Sequence, residues 1–309
     1  MSLARLWQRW TGYWFRPAPL LTLDVCRVLI VGNQLWELLG RYGFITSRAG
    51  LPEALYDPLP VFRLLTLPWG WNGWSSLLEG PWLYRPSAAL VDWLFMLAVA
   101  VGVTALIGVY TRASLMAFAL GSLLLQALAY SFGDHHHPEA LTIITVALLA
   151  LSPAGRTLSV DAWHQRRTWL TARSPMAGWP LATVQWLFAI VYLSAAGSKL
   201  AVAGWDWMNG FTLQYHLAVD ATHNGVGLGL WLSRQHALVQ ALSWMTILFE
   251  ATFFLVLLMP RLRWVYLPLG AAFHIGIYFA MHAPFFPWVV LYAAFIPWAS
   301  VAGFRRRVS

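Results

Sequence analysis

Residues 185–207 read QWLFAIVYLSAAGSKLAVAGWDW, an apolar run long enough for a membrane-spanning helix and interrupted by Lys199, the only lysine in the 309-residue chain. On a helix Gln185, Tyr192 and Lys199 recur at intervals of seven and share one face, with the small Ala195 and Ala196 between them. An ammonium facing hydrocarbon is costly, so that face is expected to look inward, toward protein or water.

Composition extends this reading to the whole chain. It is 59% hydrophobic and only 10% charged, where a soluble domain carries about 25% charged residues. Apolar runs recur along the length, and the fold class expected is all-α: a polytopic membrane helix bundle in one domain, 1–309, of about eight spans. The spans fall at about 20–40, 88–110, 113–132, 138–153, 180–201, 237–259, 264–282 and 284–302 by their hydropathy. Between them lie an interfacial N-terminal segment at 1–19, a Trp/Pro-rich outer cap at 41–87 with a short re-entrant helix near 61–67, a basic inner loop at 154–179 and an outer loop at 202–236. In the first segment Arg5, Arg9 and Arg16 alternate with Trp7, Trp10 and Trp14, as an interfacial helix requires.

The net charge of +8 reads as membrane orientation, not nucleic-acid binding. With the N-terminus inside, Arg5, Arg9, Arg16, Arg112, Arg156, Arg166, Arg167, Arg173, Arg261, Arg263, Arg305, Arg306 and Arg307 collect on the inner face. Arg41, Arg48, Arg63, Arg85 and Arg234 collect outside. That asymmetry predicts both termini cytoplasmic; the location expected is a bacterial inner membrane or its equivalent. Cys26 stands alone, so no internal disulfide forms.

The polar residues within the spans are the candidates for function. Asp24 and Arg27 are three apart and can meet on one helix face. Gln240, Ser243, Thr246 and Glu250 form a stripe, and His274, Tyr278 and His282 are spaced by four. Counting about 1.5 Å of rise per residue predicts two levels. The inner one holds Asp24, Arg27 and Glu250. The outer one holds Lys199, His135, His136, His137, Asp92 and His282, with His274 between. On that count Glu250 lies too deep to touch Lys199.

Lys199 has two readings: a long stem lifting its ammonium to the headgroups, or a desolvated lysine acting as a base. The three adjacent histidines are either a plain outer turn or the source of a proton-shuttling or carbonyl-polarising imidazole. Three neighbours in sequence do not converge easily on one ion and no H-x-x-x-H or cysteine accompanies them, so no metal is expected.

The run IVYLSAAGSKL followed by WDWMNGFTLQYHL resembles the corresponding helix and loop of the vitamin K-dependent γ-glutamyl carboxylase and its bacterial relatives, grouped as the HTTM (horizontally transferred transmembrane) domain family. DVCRVLI in the first span, the outer histidine turn, LSVDAW and FHIGIYF also match, and together the pieces cover most of residues 20–290. The resemblance implies that Lys199 matches the lysine that deprotonates a reduced quinone, and that a histidine among His135, His136 and His137 assists. It implies as cofactors a vitamin K-like quinol, O2 and CO2, with a glutamate of a peptide or protein as the group carboxylated. Ser198 stands where the animal enzyme has a further lysine.

Two functions are expected from these readings. In the first the chain is a carboxylase-like enzyme with an outward-facing site, binding a quinone or lipid in the bundle, with Gln185, Tyr192, Trp205, Gln214, Tyr215, His274, Tyr278 and His282 lining it. In the second it is a non-catalytic membrane protein handling a lipid or an exported peptide, as a maturation or immunity partner, with the Trp-rich cap at 56–84 as its docking surface.

Overall fold

The structure is a computed structural model, and it describes residues 3–57, 59, 86–133, 139–165, 170–301 and 303. Among the described residues the fold is all-α apart from one antiparallel pair of two-residue strands, β1 (Ala18–Pro19) and β2 (Arg173–Ser174). In chain order the helices are α1 (Leu3–Trp14), α2 (Leu20–Gly40), α3 (Tyr42–Arg48), α4 (Ala88–Ile107), α5 (Thr111–Tyr130), α6 (Ala140–Leu151) and α7 (Val160–His164). They continue as α8 (Gly178–Ala203), α9 (Phe211–Asn224), α10 (Gly227–Leu232), α11 (His236–Thr252), α12 (Leu255–Leu258), α13 (Arg263–Met281), α14 (Phe286–Leu291) and α15 (Trp298–Val301).

Among the described residues four helical stretches are long and apolar enough to cross a membrane: Ala88–Ile107, Thr111–Tyr130, Pro175–Asn209 and Pro260–Met281. Ala140–Leu151 and Phe286–Phe295 are shorter apolar helices. The helix α2 has the length of a span but carries Asp24, Arg27 and Glu37. In lipid the apolar effect does not drive helices together, so close packing and interhelical hydrogen bonds hold such an assembly. Large apolar side chains stay exposed where lipid would cover them, Trp36, Trp93 and Trp264 among them.

The contacts divide the chain into two compact units, Met1–Arg16 with Gly178–Pro297, and Pro17–Ala177 with Trp298–Ser309. In the second unit α2 packs on α4 and α6, and α5 packs on both α4 and α6. Arg27 and Asp24 are fully buried there. The Arg27 guanidinium donates to Asp24 at 3.3 Å and to the backbone carbonyls of Ala105, Leu106 and Leu158. Asp24 in turn accepts from the amides of Gly155, Thr157 and Leu158. The pair thus fastens the segment 155–158 and the carbonyls that end α4, groups that a helix terminus leaves without internal partners. Asp161 caps the start of α5, accepting from the amides of Tyr110 and Thr111 and from the Thr111 hydroxyl. Burial pushes the Asp161 carboxyl up, but these hydrogen bonds outweigh it and hold it below the ordinary value. At the other end of α2, Arg41 bridges Gln126 and Glu139, and Tyr130 donates to Glu139 at 3.0 Å.

In the first unit α8 packs on α11, and α13 on α14. Phe188 is fully buried, ringed by Tyr192, Phe253, Trp288, Tyr292 and Phe295. The segment 202–236, expected as an outer loop, is instead helical as Gly204–Asn209, α9 and α10. Its apolar Leu217 packs with Val239 of α11 and Ala280 of α13, and burying that face is what turns a polar-looking loop into helix. Of the cap at 41–87, α3 and the turn Glu53–Leu55 are described. The expected re-entrant helix near 61–67, His135, His136 and His137 all lie outside the described residues.

Candidate functional site

Lys199 sits in the penultimate turn of α8 and Glu250 near the end of α11. The Lys199 ammonium donates to both carboxylate oxygens of Glu250, each at 2.8 Å. The Lys199 side chain keeps 27% of its surface exposed and Glu250 only 6%. The indole of Trp207 lies with its centroid 5.6 Å from the ammonium, within cation–π reach.

The expectation that Glu250 lies too deep for Lys199 is therefore corrected: the two form an ion pair. Leu200 and Ala203, at the end of α8, pack with Trp207, Met208 and Ile247. Residues 236–246, about 16 Å of helix, thus precede the point where α11 meets the top of α8. They pack on α9 and α10 instead. Reading 202–236 as a loop started α11 at the height where α8 ends, which set Glu250 too low.

Two turns before Lys199 on the same face, the Tyr192 hydroxyl meets His274 Nε2 at 2.6 Å and the Tyr292 hydroxyl at 2.7 Å. All three residues are buried. Gly270 keeps this arrangement open, since a Cβ there would collide with the Tyr292 hydroxyl. The ion pair and the tyrosine–histidine cluster thus lie two turns apart on one face of α8 and make up the polar region of this unit. The second ring nitrogen of His274, Nδ1, is buried and has no hydrogen-bond partner among the described residues. A buried polar atom left open in this way costs about 1–3 kcal/mol and fits a polar group of a bound molecule.

Of the other residues singled out in the sequence, Gln185 is held by the Ala294 carbonyl at 2.7 Å and lies near Arg263. Gln214 links the Ser233 carbonyl to the His236 ring. Trp205 and Tyr215 are exposed. Tyr278 packs on His282, which ends α13 in the left-handed conformation. Asp92 accepts from Tyr42. Tyr292 and Trp207 had not been assigned a role from sequence. No group of three or more His, Cys, Asp or Glu residues able to hold a metal occurs among the described residues.

Residues 77–299 match the model of the HTTM domain. The chain belongs to the HTTM domain family. The matched stretch takes in Lys199, Glu250, Tyr192, His274 and Tyr292, so the whole polar region lies within the HTTM domain. No curated protein and no solved structure matches this HTTM chain.

Proposed function

We propose that this HTTM protein is a membrane-embedded vitamin K-dependent γ-carboxylase-like enzyme, in which Lys199 takes a proton from a quinol or lipid-like substrate at an outward-facing site. The observation that carries the reading is the Lys199–Glu250 pair: the amine is enclosed by a carboxylate and an indole, not lifted away on its stem.

In a region of low polarity an ammonium–carboxylate pair lies close in energy to the neutral amine and acid, because both charges lose hydration. Passing the Lys199 proton to Glu250 frees the amine lone pair, and that lone pair can then accept the proton of a substrate hydroxyl. The Trp207 face favours the ammonium that results. A reduced quinone would supply an acidic hydroxyl and the reducing equivalents for reaction with O2. The His274 Nδ1 atom, buried and open, fits an oxygen of such a ring, and Tyr192 fixes the imidazole through Nε2. His135, His136 and His137 would assist, with CO2 as co-substrate and a peptide glutamate as acceptor. Both termini would be cytoplasmic, with eight spans in a bacterial inner membrane.

The test is quinol-dependent O2 consumption and labelled bicarbonate incorporation by the purified protein in lipid nanodiscs, with Lys199→Ala as control. Activity lost in the variant supports the base role, and equal rates in both would falsify it. A second reading, a non-catalytic protein handling a lipid or exported peptide, is favoured by the full engagement of both Glu250 oxygens, which suits a structural pair. A peptide that co-purifies with wild type and with Lys199→Ala alike would select it.

A further inference from the structure

Far along α8 from the ion pair, where its first turns meet the end of α1, a group of hydrogen-bond donors has no acidic partner. Arg16 is exposed and follows α1 directly. Arg263 opens α13 and is held by three long contacts, to the carbonyls of Val256 and Phe295 and to Gln185, at 3.3–3.5 Å. Gly178 meets the Arg16 carbonyl and Gln185 meets the Arg263 guanidinium, so both arginines lie against the first turns of α8. Among the described residues no carboxylate pairs with either. The indole N–H of Trp14 is buried and has no acceptor among the described residues.

The local packing fixes these groups in place. Trp186 donates to the Tyr13 hydroxyl at 2.7 Å, and Tyr13 and Trp10 both set a ring edge against Trp14. The chain leaving α1 passes so close to Gly178 that a Cβ there would strike the Arg16 carbonyl. Beyond this anchor α1 turns Leu6, Trp7 and Trp10 outward, exposed by 46%, 68% and 60%. Such a stripe is stable only if lipid covers it.

We infer that Arg16, Arg263 and the Trp14 indole form a seat for the headgroup phosphate of an anionic membrane phospholipid, with α1 lying along its acyl chains. Two like charges at one end of α8 without a counter-ion are unfavourable, and a phosphate between them reverses the sign of that interaction. Guanidinium forks match phosphate oxygens, and the Trp14 N–H supplies a further donor. A zwitterionic headgroup also has a phosphate, but its own ammonium cancels the net attraction, so the preference is for net negative lipid.

The experiment is native mass spectrometry of the full chain in detergent, titrated with phosphatidylglycerol, with phosphatidylcholine and with inorganic phosphate. Wild type is expected to retain phosphatidylglycerol in preference to phosphatidylcholine. Arg16→Gln, an exposed position, and Trp14→Phe, which keeps the ring and removes the N–H, are each expected to weaken phosphatidylglycerol retention about tenfold, the loss of one hydrogen bond to a charged group. Unfolding temperatures in lipid-free detergent should be unchanged for Arg16→Gln. Equal retention of the two lipids, or unchanged phosphatidylglycerol retention in both variants, overturns the assignment. Inorganic phosphate binding as tightly as the lipid also overturns it, since the seat would then serve a soluble anion.

Discussion

Lys199 donates to both carboxylate oxygens of Glu250, and this contact joins α8 to α11 across an otherwise apolar interface. The two partners differ in exposure, and that difference makes their removal unequal. Lys199→Met strands a carboxylate that is almost wholly buried, at a cost of about 3 kcal/mol. Glu250→Gln leaves an ammonium that still reaches some solvent, and costs about 1 kcal/mol. The double variant should recover much of the first loss. Thermal unfolding of all four proteins in one detergent reads this cycle, and additive losses would mean that the two residues do not interact.

The Tyr192 hydroxyl touches both His274 and Tyr292, whereas the Tyr292 hydroxyl touches Tyr192 alone. Tyr192→Phe leaves both ring nitrogens of His274 without a partner and is expected to cost about 2 kcal/mol, against about 1 kcal/mol for Tyr292→Phe. Melting curves of the two variants give the order directly. If Tyr292→Phe proves the more damaging, Tyr192 is not the centre of the cluster.

Arg27 reaches one carboxylate and three carbonyls at once. A lysine has no planar fork to span them, so Arg27→Lys should lose about 3 kcal/mol despite keeping the charge. Asp24→Ala should loosen the segment 155–158 specifically, because three amides there lose their acceptor. Hydrogen exchange of those amides is the measurement, with faster exchange there than at α5 as the expected result.

Asp161 provides a pH signature. Its carboxyl is held below its ordinary value near 3.8, so its contribution to stability is complete above that pH and disappears as the pH falls through the lower folded-state value. Asp161→Asn should flatten the decline of melting temperature as the pH falls below about 4, with the α4–α5 turn destabilised at neutral pH. An acid limb identical to wild type would show that other carboxylates set it.

The class of fold was legible because twenty-residue apolar runs leave few alternatives, and helices occupy the expected segments from 20–40 to 264–282, whereas 284–302 is divided into short pieces and 202–236 adds two helices. The Asp24–Arg27 contact could be read from a spacing of three within one helix. Lys199 with Glu250 could not be read in the same way. The depth of a residue follows from the height at which its helix begins: the start of α11 falls where the sequence places it, at about 237, but α9 and α10 intervene and lift that start away from the end of α8. A charge inventory would have served better than a depth count: Lys199 and Glu250 are an opposite pair within neighbouring apolar helices, and unpaired charges there are costly. Tyr292 gave no signal, since one more aromatic in FPWVVLYAAF looks like any other apolar side chain.

The Lys199–Glu250 couple has zero formal charge whether its mobile hydrogen rests on nitrogen or on oxygen. An uncharged amphiphile therefore meets no monopole at the pair itself, and gain or loss of one hydrogen ion is what gives the couple a net sign. Under the proposed reading, an anion left by a proton taken up there would lie beside the cation so formed, and the couple would return to neutrality only by giving the surplus proton away.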